Sequence, residues 1–91
     1  MTTLQDEEIE KIAKEVATEN GIPFKGVSTT AALDSAGMPV VEVTISIRPG
    51  SSFEFFRDGR SSRTVSEVHR RLADKGEERL PIVHYEGTSA P

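Results

Sequence analysis

The chain has no cysteine and no tryptophan, one tyrosine and four phenylalanines among 91 residues. The missing thiols exclude disulfides, thiolate metal sites and cysteine nucleophiles together. They fit a reducing compartment, and the cytosol is the expected setting. No hydrophobic run approaches the ~20 residues of a membrane-spanning helix. The acidic start Met1 to Glu8 has neither the basic residues nor the apolar run of a signal peptide, so no membrane contact is expected. A glycine-rich phosphate loop, a nucleophile elbow, a His-Glu-x-x-His pair, a calcium loop and closely spaced carboxylate pairs are also missing. No catalytic residue, cofactor or metal ligand can be assigned. A small hydrolase or transferase using His69 or His84 would need both histidines brought to a nucleophile or acid in space.

What is present is one domain's worth of chain, expected over residues 1–86 with a flexible tail at 87–91. Hydrophobic residues make up 35% and charged residues 29%, so a single modest core must come from few positions. The net charge of −4 is unevenly spread. Residues 1–24 hold six acids and two bases; residues 57–79 hold seven bases and five acids. An excess of two cations is a thin footprint for phosphate backbones, so nucleic acid is not the favoured partner.

Val41, Val43, Ile45 and Ile47 alternate with Glu42, Thr44, Ser46 and Arg48, the period of a half-buried strand. Val27, Thr29, Ala31 and Leu33 alternate in the same way just before it. A three-residue loop, Ser35-Ala36-Gly37, with Gly37 left-handed, pairs Ala31 with Val41, Thr29 with Val43 and Val27 with Ile45, so both apolar faces coincide. A four-residue loop would turn those faces opposite ways.

The first helix is expected from an N-cap at Thr3, with Ile9, Ile12, Ala13 and Val16 on one stripe and Asn20-Gly21 closing it. A second is expected from about Val65 to Lys75, with Thr64 and Glu67 as its capping box, an apolar stripe of Val65, Val68 and Leu72, and Gly76 at its end. Leu80 to Tyr85 reads as a last strand, Pro81 suiting its start or an edge. The expected core is Ile9, Ile12, Val16, Val27, Ala31, Val41, Val43, Ile45, Ile47, Val65, Val68, Leu72 and either Ile82 or Val83.

The segment Phe53 to Arg60 holds three of the four phenylalanines. It reads as a short third strand, or as a loop or helical turn that tucks phenylalanine into the core. Phe53, Phe55 and Phe56 are accordingly candidates for partner contact or for a core lid. The sharpest chemical candidate follows at Arg57, Arg60, Ser61, Ser62, Arg63 and Thr64, extended by Arg70 and Arg71. Guanidinium groups, hydroxyls and the free amides of a helix start could hold a phosphate or carboxylate there; a capped helix entry explains the same residues without a ligand.

The order helix, strand, strand, helix, strand resembles the KH-like arrangement of ribosome-binding and BolA-type proteins. The likeness is one of element order, since the Gly-x-x-Gly loop with which KH modules clamp a nucleic-acid backbone is absent, and so is the extra helix usual in that group. The sequence thus predicts an α+β two-layer sandwich of order α-β-β-(β)-α-β, with an antiparallel sheet of three or four strands and two helices on one face. The function class it favours is a non-enzymatic interaction module, binding another protein or itself through a sheet edge or the region Phe53 to Arg71. The alternative is RNA or anion binding through residues 57–71.

Overall fold

A computed structural model describes residues 2–87. The elements are α1 (Asp6–Glu19), β1 (Phe24–Leu33), β2 (Pro39–Ile47), α2 (Glu54–Arg57), α3 (Arg60–Asp74) and β3 (Leu80–Gly87). The fold is α+β, a three-stranded sheet in the order β1-β2-β3 against which α1 and α3 pack.

The hairpin follows the alternation in the sequence. β1 and β2 are antiparallel with Ala31 opposite Val41, Thr29 opposite Val43 and Val27 opposite Ile45. Gly37 sits at φ 79°, and the Asp34 carboxylate accepts the amides of Ala36 and Met38, each at 2.9 Å. Residues 35–37 are therefore the loop, as facing requires. Val41, Val43 and Ile45 are fully buried and Ile47 nearly so.

β3 departs from the antiparallel expectation. It runs parallel to β2, Val41 beside Pro81, Val43 beside Val83 and Ile45 beside Tyr85. The cause is the connection, because a strand reached through helices that cross the sheet returns in the original direction. The Phe53 segment is neither strand nor open loop; it forms the four-residue α2. The helical-turn alternative for this segment is the one observed, and the order is α-β-β-α-α-β.

α1 begins at Asp6 after Gln5, with no side-chain cap, rather than at Thr3. It ends as its sequence indicates. Gly21, at φ 67°, donates its amide to the Thr18 carbonyl and Ile22 donates to that of Ala17, a Schellman closure that buries Ile22. α3 starts one turn earlier than the Thr64 box implies. Gly59 turns the chain at φ 88° and Asp58 accepts the Arg60 amide at 3.1 Å, so Thr64 lies inside the helix. Gly76 at φ 94° closes it.

The core forms two connected clusters. One joins Ile9, Ile12, Ala13 and Val16 of α1 to Val41, Val43, Val68 and Leu72. The other joins Ala17, Ile22, Ile45, Ile47 and Phe55. Val27 and Val65 are half-buried and Ala31 is exposed, all three outside the fully buried core that the alternation predicts. Val83 faces the helices and Ile82 the open side, both half-buried. Gly87 ends β3 instead of opening a tail, and residues 88–91 lie outside the described residues.

Candidate functional site

The aromatic residues converge at the end of the sheet where α2 is held. Phe55 points inward and is 1% exposed. Its ring centroid lies 4.4 Å from that of Phe56 and 5.7 Å from that of Tyr85. Phe56 meets Tyr85 edge to face at 5.2 Å and 81°, while Phe53 stacks on Phe56 at 6.0 Å and 25°. Such geometries suit ring quadrupoles. The base is pinned, because the Tyr85 hydroxyl donates to the Ser61 carbonyl at 3.0 Å, and burial pushes its phenol pKa up. On this base Phe53 and Phe56 remain 47% and 46% exposed. The segment therefore divides: Phe55 is the core lid, and its two neighbours form an exposed aromatic corner.

The candidate cationic residues are not gathered into one patch. Arg60 Nε contacts Asp58 at 2.8 Å, and its Nη1 donates to the Gly21 carbonyl at 3.2 Å. Arg70 pairs with Glu67 and with Asp74, the latter at 3.1 Å. Arg71 reaches Glu19 at 2.5 Å and Glu67 at 3.4 Å, joining α3 to α1. Hydrogen bonds from Arg71 and from Arg70 hold the carboxyls of Glu19 and Glu67 below their ordinary values. Ser61 and Thr64 are buried. The Thr64 hydroxyl donates to the Arg60 carbonyl at 2.8 Å and accepts from Asn20 Nδ2 at 3.0 Å, which ties α3 to the end of α1. Ser62 is exposed.

Arg57 and Arg63 remain, both exposed and in no ion pair among the described residues. Arg57 follows Phe56 on α2. Arg63 lies close enough to Asp58 to help lower its carboxyl, after the larger effects of the Arg60 amide and guanidinium.

The histidines stand on separate elements. His69 is half-buried on α3, whereas His84 lies on the open sheet face with Nε2 3.3 Å from Glu42 Oε1. No group of three or more histidine or acidic side chains able to hold a metal occurs among the described residues. No helix among them is long and apolar enough to cross a membrane.

Sequence reasoning missed Tyr85 as the base of the corner. Its signal was the parity of Pro81, Val83 and Tyr85, which puts the ring on the helix side of β3. The α1 partners Glu19 and Asn20 left no local trace, because helix-to-helix pairing depends on tertiary packing.

No family model matches the chain, and no curated protein does. Two solved structures match, both variants of MamM-CTD. One has a TM-score of 0.45 and 14% identity, over 93% of this chain and 92% of that one. The other has a TM-score of 0.39 and 15% identity, over 93% and 94%. At these scores the likeness carries no argument about function.

Proposed function

We propose that this protein is a small non-enzymatic interaction module of the cytosol that docks a partner protein on the corner formed by Phe53, Phe56 and Arg57, with Arg63 at its margin. The observation that carries the reading is that two phenylalanine rings stay about half exposed on a buried aromatic base. Rings held by neighbouring rings lose little freedom on binding, and aromatic anchors beside arginine are the usual centres of binding energy. The fitting partner presents an apolar side chain flanked by carboxylates, since Arg57 and Arg63 form no ion pair among the described residues. The anion-binding alternative has only Arg57 and Arg63 to draw on, because carboxylates of the same chain already neutralise Arg60, Arg70 and Arg71.

The test is quantitative crosslinking and copurification from the native host with the parent chain and a Phe53→Ser/Phe56→Ser variant. A stoichiometric partner should bind the parent and bind the variant at least about tenfold more weakly, the scale of losing hot-spot anchors. Unchanged far-ultraviolet circular dichroism and a cooperative urea transition would show that the fold is kept; Tyr85 fluorescence is no control here, because Phe56 packs on its ring. A partner retained equally by the folded variant removes the reading.

A further inference from the structure

The two edges of the sheet are defended unequally. β3 carries Pro81, which has no amide hydrogen to offer, and the charged residue Glu86. Its last residue lies under the Phe53 ring, whose Cε1 and Cζ are 3.2 Å from where a Gly87 side chain would begin. β1 is the other edge, and such devices are confined to its entry, at Lys25 and the bulge beside it. From Gly26 to Leu33 it reads Gly-Val-Ser-Thr-Thr-Ala-Ala-Leu, with no charge and no proline, and Ser28, Thr30, Ala31 and Leu33 are exposed. Its only charge is Lys25 at the entry, beside the bulge between Phe24 and Gly26. A flat, uncharged edge of this length is a template for another strand.

We infer that the occupant is β1 of a second copy, paired antiparallel across a two-fold axis at Thr29 to make one six-stranded sheet. This deepens the interaction-module reading but uses a different surface from the aromatic corner. Facing sets the register. With Thr29 opposite itself, Val27 meets Ala31 of the second copy on the helix side and Ser28 meets Thr30 on the open side, the paired stretch ending at the bulge beside Lys25.

Charge on α1 selects the same axis. Glu10 accepts a hydrogen bond from the Thr29 hydroxyl at 3.1 Å, which fixes where helix and strand midpoint meet. Asp6 and Glu7 stand one turn before Glu10 and Lys14 one turn after it. Rotation about Thr29 lays the two α1 helices side by side, antiparallel, with Lys14 of each against Asp6 and Glu7 of the other. The two Glu10 carboxylates then lie nearest the axis, with Lys11 next to them. A parallel arrangement would set Asp6, Glu7, Glu10 and Lys14 each against its own like charge, whereas the antiparallel one does so at Glu10 alone.

The test exploits the pairing of position 28 with position 30. At about 100 μM, where an edge pairing of micromolar or tighter affinity is filled, sedimentation should give twice the 9.9 kDa chain mass. Ser28→Lys/Thr30→Lys places cations opposite cations at two symmetric points and should reduce the mass to that of one chain. Ser28→Glu/Thr30→Lys places opposite charges in contact and should keep the dimer. Circular dichroism checks that both variants are folded. A monomeric parent, a dimer that survives Ser28→Lys/Thr30→Lys, or loss in both variants overturns the register and the inference. A dimer lost only in Phe53→Ser/Phe56→Ser would instead assign self-association to the aromatic corner.

Discussion

Glu77 carries the strongest electrostatic commitment of any single residue described. Its side chain is fully covered between Arg79, whose Nη2 and Nε lie 2.8 and 3.0 Å from its carboxylate oxygens, and the Leu4 amide, which donates at 3.0 Å. Arg79 first, and then the amides of Leu4 and Arg79, outweigh burial and bring its pKa from 4.5 to about 2. A carboxyl depressed that far contributes about 3 kcal/mol to stability, at about 1.4 kcal/mol per pH unit. Because the folded value is the lower one, this stability is present above about pH 4.5 and is lost as pH falls towards 2. Glu77→Gln is therefore expected to be about 3 kcal/mol less stable than the parent at pH 7, with the gap closing towards pH 2. Urea unfolding across that range checks it, and an equal loss at both ends would show that packing, not charge, is what the substitution removes.

At the level of elements, legibility followed the range of the interactions. The β1–β2 hairpin was readable to the residue because its constraints are local: two alternating runs, a facing rule and a glycine able to adopt positive φ. The ends of α1 and α3 at Gly21 and Gly76 were readable for the same reason. The start of α3 was not, because two capping signals compete within six residues. Asp58 with Gly59 prevails over Thr64 with Glu67, since the earlier start lets Thr64 bond to Asn20 and lets Tyr85 reach the Ser61 carbonyl. The readable turn can be tested by coupling. Asp34→Ala removes the acceptor of two amides, and Gly37→Ala forces a side chain to φ 79°; each should cost about 1 kcal/mol in denaturant unfolding. Both act on one five-residue unit, so the double variant should lose less than the sum. Strict additivity would mean that the carboxylate and the glycine do not hold the same conformation.

For the whole molecule, the sequence was silent about strand direction, because alternation states which way side chains face and nothing about polarity. The partners in the β2–β3 ladder lie 40 residues apart, as with Val40 and Leu80, and no local pattern records such a pairing. The aromatic corner was half legible: three phenylalanines announced it, while the split between buried Phe55 and exposed Phe53 and Phe56 depends on Tyr85 arriving on the parallel strand. That strand also unifies the core. Val83 of β3 and Val27 of β1 each pack against both clusters, so neither cluster can open without uncovering the other. One cooperative transition is expected. Tyr85 is the only tyrosine and tryptophan is absent, so its fluorescence reports the cluster around Phe55, while far-ultraviolet circular dichroism is dominated by α1 and α3. The two urea curves should superimpose for the parent. Val83→Ala, which removes two methyl groups from the shared wall, should shift both curves together by about 1 to 2 kcal/mol. Tyrosine fluorescence changing at lower urea than the helical signal would mean that the corner opens alone, and that the parallel strand does not couple the two halves of the core.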